Sequence, residues 1–203
     1  MNINYQKKME EIIQQNLKNN KTPTLLLHSC CAPCSSSVLE CLSDYFDITV
    51  FYYNPNIEPV EEYTIRSREQ KRFLSIFPAA KPVQIIEGPY EAKAYEKISR
   101  GREEDSEGGK RCFLCYEFRL RKTAELAKLK GFDYFSTTLS VSPYKNAQKL
   151  NEIGALLSAK YGVDYLYSDF KKKDGYKRSI ELSDEYGLYR QHYCGCRYSL
   201  FAD

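Results

Sequence analysis

An α/β fold, a single-domain and mostly parallel sheet with helices on both faces, is predicted by three features of the 203-residue chain. Short apolar and β-branched runs alternate with longer amphipathic segments. Gly, Pro and Asn punctuate the boundaries. The first apolar run leads directly into a Cys- and Ser-rich turn, as a strand does when it feeds a helix.

Met9, Ile12, Ile13 and Leu17 recur at helical spacing and give an N-terminal helix within residues 1–21. Thr24 to His28 is a strand, and Ser35-Ser36-Ser37 offers N-caps for a helix through Val38, Leu39 and Leu42. Phe46 to Tyr53 is β-branched and aromatic, hence a second strand, closed by Asn54-Pro55-Asn56. Helix over Val60 to Phe77, strand over Pro82 to Ile86 and helix over Tyr90 to Ser99 continue the alternation. A Gly- and Glu-rich loop, Gly101 to Lys110, precedes a long helix ending near Gly131, then a strand from Asp133 to Thr138 and a helix from Leu150 to Tyr161. Residues 163–203 carry a short Tyr-rich strand, the run Lys171-Lys172-Lys173 and a helix near Ser179 to Tyr186. In an open parallel sheet, ligands bind beyond the carboxyl ends of the strands. The functional site is expected there.

Composition narrows the classes without choosing among them. A hydrophobic content of 42%, a charged content of 28% and a net charge of +3 describe a globular chain for which nucleic acid is permitted but not implied. No run approaches the twenty apolar residues of a membrane span, and Met1 to Lys21 is polar and amphipathic, so a cytoplasmic protein without a membrane partner is expected. In a reducing compartment, clustered cysteines read as metal ligands or redox groups before disulfides.

Seven of the eight cysteines fall into three clusters: Cys30, Cys31 and Cys34; Cys112 and Cys115; Cys194 and Cys196. Thiolates suit soft metals, and an iron-sulfur cubane uses up to four, so seven can serve one cluster and leave three over. Cys112 and Cys115 share a helix face near its positive end, which favours thiolate, and Cys194 and Cys196 share a side if extended. Cys41 reads as a buried small hydrophobe. Both histidines flank clusters. His28 is either a satisfied core residue or a proton donor beside the metal, and His192 is the more exposed of the two. Lys171, Lys172 and Lys173, with Arg178 nearby and tyrosines interleaved, form either a solvated face or an RNA contact; Arg66, Arg68, Lys71 and Arg72 make a second basic group. Glu107-Gly108-Gly109-Lys110 lacks Walker spacing, which removes an ATP site, and Pro33-Cys34 leads into serines, not a deaminase motif.

Taken together, His28-Ser29-Cys30-Cys31-Ala32-Pro33-Cys34, Tyr53-Asn54-Pro55-Asn56-Ile57 with Glu62-Tyr63, and Arg111-Cys112 with Cys115-Tyr116 resemble the QueH family of epoxyqueuosine reductases. So do Thr137-Thr138-Leu139-Ser140, Ser142-Pro143-Tyr144-Lys145-Asn146 and Tyr193-Cys194-Gly195-Cys196 with Tyr198-Ser199, in the same order from Leu25 to Leu200. The resemblance implies an enzyme of the last step of queuosine synthesis. It would reduce epoxyqueuosine at the wobble position of tRNA, with a 4Fe-4S cluster, a separate metal ion beside it (iron, with zinc the other option), no cobalamin and no ATP. It also implies a sheet like that of nucleotide-binding HUP proteins.

Epoxide to alkene takes two electrons, two protons and loss of water. On this reading Cys30, Cys31, Cys34, Cys112, Cys115, Cys194 and Cys196 are metal ligands, undivided between the two sites, and His28 or Tyr116 supplies a proton. Thr138, Ser140, Ser142 and Lys145 meet the nucleoside or its phosphate, with Lys171, Lys172, Lys173 and Arg178 on the tRNA. The partners are tRNA containing epoxyqueuosine and an unidentified electron donor. Two rivals remain. One is a non-catalytic RNA-binding protein stapled by zinc; the other, a thiol-based tRNA sulfur-transfer enzyme, lacks the ATP loop it would need.

Overall fold

The strand with the most apolar sequence takes the centre of the sheet. β1 (Thr24–Ser29) is buried from Leu25 onward and lies between β2 (Asp47–Tyr52) and β4 (Tyr134–Thr137), while β3 (Gln84–Glu87) and β5 (Asp164–Tyr165) form the edges. All five strands are parallel, in the order β3-β2-β1-β4-β5. This is the α/β, Rossmann-like architecture expected. The computed structural model describes residues 3–199. Met1, Asn2 and residues 200–203, which include the ends of the expected N- and C-terminal segments and Leu200, lie outside the described residues.

Alternation along β1 sorts its leucines between two cores. Leu25 and Leu27 face α1 (Tyr5–Lys18), α2 (Ala32–Leu42) and α3 (Val60–Ile76) through Met9, Leu39 and Phe73. Leu26 faces α5 (Lys110–Lys130) and α6 (Ala147–Tyr161) through Leu120 and Leu150. Each fully buried leucine contributes about 1.5–3 kcal/mol. The shorter α4 (Ala92–Ser99) lies beside α5, and α7 (Gly175–Glu185) packs on α2. At Gly154 a Cβ would stand 2.4 Å from the Tyr165 ring, so glycine lets α6 sit directly on β5.

The chain leaves β1 for β2 and β3, then returns to β4 on the other side. The connections after β1 and β4 therefore diverge, which opens a crevice at their carboxyl ends.

Several boundaries differ from the expectations. Helix α2 starts at Ala32, not after the serines, because the Cys31 side chain caps it by accepting from Cys34 N–H (3.4 Å) and a proline sits in its first turn. Ser35 and Ser36 lie inside the helix and donate back to the Ala32 and Pro33 carbonyls. Asn146 caps α6 three residues before the expected start, through Lys149 N–H (2.9 Å). The fourth strand passes into a short 3-10 turn, Thr138–Val141, and α7 begins at Gly175. Cys41 is exposed, not buried, because it falls on the outer side of α2 while Leu39 and Leu42 turn inward.

Candidate metal centre

Strand β1 ends at Ser29, and the next five residues deliver Cys30, Cys31 and Cys34 to the crevice. The three Sγ atoms lie within 4.8 Å of one another, with Cys30 and Cys31 3.7 Å apart. The turn is fixed from beneath. Ser29 Oγ–H donates to Gln70 Oε1 on α3 at 2.7 Å, Gln70 Nε2 donates to Ser35 Oγ at 3.0 Å, and Asn54 Nδ2 donates to the Ser29 carbonyl. Beside the turn, Gln191 Nε2 donates to Cys31 Sγ at 3.1 Å.

A looser second group forms opposite. Cys112 and Cys115 stand at the start of α5, and Cys194 and Cys196 arrive on the C-terminal loop. Cys115 and Cys196 share a small buried cluster with Tyr95, while Gly108 N–H donates to Cys112 Sγ. The last pair is not extended, as the shared-side expectation required. Gly195 has φ +113°, and a Cβ there would stand 2.9 Å from Ile57 and 3.0 Å from Arg66, so only glycine makes this bend. Arg66 holds the bend from α3, donating to the Cys194 and Tyr193 carbonyls (3.2 and 3.3 Å) and to Glu62 at 2.6 Å. Glu58 N–H adds a 2.8 Å bond to the Gly195 carbonyl.

Both groups open on one cavity of about 880 Å³, whose lining includes Cys30, Cys34, Cys194, Arg119, Ser142 and Lys145. The same lining includes the acidic Glu103, Asp105 and Glu107 and, from the C-terminal loop, Arg190 and His192. Lys145 is buried and paired with Glu107 Oε1 at 2.7 Å.

The electrostatics reverse one expectation. Burial pushes the Cys112 thiol up and the Cys115 thiol up to about 11, outweighing the helix terminus that favours thiolate. Only where one thiol donates to another does a thiolate find help. Hydrogen bonds from Cys31 and Cys34 draw Cys30 down, and a hydrogen bond from Cys196, followed by the Lys145 charge, draws Cys194 down. Their partners Cys31, Cys34 and Cys196 are correspondingly raised. A bound metal ion removes this cost, because a coordinated thiol is deprotonated outright. Seven thiols in two groups, three of them (Cys30, Cys34 and Cys194) in the cavity lining, form a soft donor set that fits iron or zinc.

His28 is fully buried at the end of β1 and does not line the cavity. Arg119 Nε–H donates to its Nε2 at 3.1 Å, and since a guanidinium only donates, Nδ1–H must point to Thr137 Oγ1 at 2.9 Å. The Tyr53 carbonyl, also 3.1 Å from Nε2, then faces a lone pair. Burial, then the Arg119 charge, lowers the ring to about 3 and keeps it neutral. Tyr116 is buried among the second group, and its hydroxyl has no partner. Burial raises it further above the usual phenol range.

Thr138 Oγ1 lies 3.8 Å from Cys30 Sγ. Ser140 is turned away, bonded to Ser168 and accepting from Phe170 N–H. Lys171 reaches back to the Ser140 and Lys145 carbonyls and to Asp169, bracing the loop after β4. Lys173 and Arg178 stand apart from the cavity, paired with Glu10 and Glu40 on α1 and α2. Lys172 is exposed. Sequence reasoning missed Arg119, although it follows Cys115 by four residues on the same helix face, and it missed Gln70, Gln191 and the Arg66–Glu62 pair as anchors.

A family model described as epoxyqueuosine reductase QueH matches residues 25–202. The chain belongs to the QueH family. Curated relatives in this family include an epoxyqueuosine reductase QueH of Streptococcus pyogenes, 45% identical over 97% of this chain and 78% of the relative. The homologue of Staphylococcus epidermidis is 45% identical over 96% of this chain and 83% of its own. That of Thermotoga maritima is 37% identical over 87% of this chain and 90% of its own. Among the described residues, no helix is long and apolar enough to cross a membrane.

Proposed function

We infer that this QueH-family chain is an epoxyqueuosine reductase that converts epoxyqueuosine in tRNA to queuosine. The observation that carries the reading is the convergence of three separate cysteine segments at the carboxyl end of the sheet, around one cavity whose lining includes Cys30, Cys34 and Cys194. The reaction consumes two electrons and two protons, breaks both epoxide C–O bonds, forms a C=C bond and releases water. The seven cysteines would hold a 4Fe-4S cluster and a neighbouring metal ion between them, which when bound would supply electrons and a Lewis acid.

The chain's own residues have the remaining tasks. Tyr116 keeps its proton at neutral pH, and its unpartnered hydroxyl beside the second thiol group supports it as the donor to the departing oxygen. His28, neutral and engaged at both nitrogens, orients Arg119. Ser142 and Lys145 line the cavity where the modified nucleoside would enter, and Arg190 and His192 in the same lining suit the flanking phosphates. Lys172 is exposed and free to meet the tRNA, whereas Lys171, Lys173 and Arg178 are occupied by internal partners. The whole of 1–203 acts as one reductase domain in the cytoplasm, fed by a separate electron donor.

The test is iron, acid-labile sulfide and zinc content on anaerobically purified protein, followed by an assay on epoxyqueuosine tRNA. Iron with sulfide and turnover to queuosine is the expected result. Reproducible zinc without sulfide after reconstitution, and no turnover, would replace the enzyme with a zinc-stapled RNA-binding protein. In Tyr116→Phe the metal content should hold while turnover falls by about 10²–10⁴-fold.

A further inference from the structure

Four cations are almost fully withdrawn from solvent around this cavity, and two of them are paired with a carboxylate. Arg66 pairs with Glu62 and Lys145 with Glu107; Arg111 donates to the Arg102 and Glu103 carbonyls and lies over the Tyr198 ring. Arg119 differs. It is 2% exposed, and its hydrogen bonds run to two neutral acceptors, His28 Nε2 at 3.1 Å and Asn54 Oδ1 at 2.5 Å, and to Cys115 Sγ at 3.9 Å. Among the described residues no carboxylate is paired with it.

A buried charge without a counter-charge costs several kcal/mol even after relaxation. The groups that face Arg119 and become anionic on binding a metal are thiols: Cys115 Sγ, 3.9 Å from the guanidinium, and Cys30 and Cys194 in the lining of the same cavity. Its guanidinium also lines the cavity. Helix α5 brings it there one turn beyond Cys115, while His28 and Asn54, from the ends of the two central strands, fix the plane of the fork. Such a site is built for a cation whose partner is the assembled centre, not a side chain.

We propose that Arg119 is the built-in counter-cation of the metal centre, a positioning residue whose fixed charge favours both assembly of the thiolate-bound centre and its reduced, more negative state. The inference rests on the reading of the cysteines as metal ligands. A cation held in a low-dielectric site favours whichever state of a neighbouring group carries more negative charge. Charge at position 119 therefore raises the reduction potential of the centre. The effect depends on the charge, not on turnover, so it is measurable without substrate.

The experiment compares the wild type with Arg119→Lys and Arg119→Gln after the same anaerobic reconstitution, reading iron and sulfide per chain and the midpoint potential by redox titration. Far-ultraviolet circular dichroism of each apoprotein serves as the check on folding. The expected order follows charge: Arg119→Lys loads and titrates close to the wild type, while Arg119→Gln loses most of its sulfide or titrates at a more negative potential. Equal loading and potential in folded Arg119→Gln overturns the proposal. So does equal failure of both variants, which would make the fork's hydrogen bonds, not its charge, the requirement. If the wild type itself takes up no iron and sulfide, the metal-centre reading fails instead, a result distinct from either.

Discussion

Cys30, Cys31 and Cys34 come from a single strand-to-helix turn, whereas Cys112, Cys115, Cys194 and Cys196 are gathered from a helix start and a loop much later in the chain. The first group is tight, with all three sulfurs within 4.8 Å, because the central strand and the Cys31 cap determine where each residue falls. The second depends on tertiary bonds made by Arg66, Glu58 and the bend at Gly195. Both are tied to α3. Gln70 holds the first and Arg66, four residues earlier on the same helix, holds the second. Local construction thus gives rigidity, and long-range construction gives a centre that exists only when the whole fold does.

Removing a ligand gives the largest expected effect. Cys112→Ala should abolish reductase activity and change the metal content, measured by iron and sulfide analysis; unchanged metal would remove Cys112 from the ligand set. Next is Arg66→Ala, which leaves Glu62 buried without its partner, at a cost of about 3–5 kcal/mol, and frees the Cys194 loop. It should impair metal retention through the second group while the first still binds, a split readable by thiol-labelling mass spectrometry of residues 30–34 against 194–196. The mirror-image change, Gln70→Ala, removes the acceptor of the Ser29 hydroxyl and the donor to Ser35 Oγ and should cost about 1–3 kcal/mol in urea unfolding, with protection lost first at residues 30–34. If Arg66→Ala and Gln70→Ala expose the same cysteines, the two groups are a single cooperative unit. The smallest effect belongs to Cys41→Ala, which should leave activity, metal and stability unchanged within about 0.5 kcal/mol. It also tests the structure's placement of Cys41 on the surface.

The order of strands and helices was legible because it rests on local patterns: Leu25 to Leu27 read as a buried strand, and the alternation that follows reads as a parallel sheet. The family was legible from its cysteine blocks. What the residues alone concealed lies in partnerships across the chain. Nothing around Ser35 reveals that Cys31 takes the capping role, and a Cys-Gly-Cys pair read as extended gives no hint that Ile57 and Arg66 crowd the glycine into a bend. Arg119 was overlooked because an arginine on a Lys- and Arg-rich helix looks like solvated charge. Only the fold shows that its face turns inward toward His28 and Asn54. The run Lys171-Lys172-Lys173 misleads in the opposite direction, since two of its three ammonium groups serve neighbouring carboxylates.

The dependence on a late loop has a consequence in time. Strand β5 completes the sheet at Tyr165, well before Cys194 in the chain, and at roughly 5–20 residues per second a ribosome needs about 1.5 to 6 seconds to cover the distance. During that interval all five strands and the Cys30 turn have been synthesised while the bend that completes the site has not. Assembly of the full centre therefore cannot precede synthesis of the C-terminal loop. A chain arrested in this window would present reactive thiols without the means to enclose what they bind.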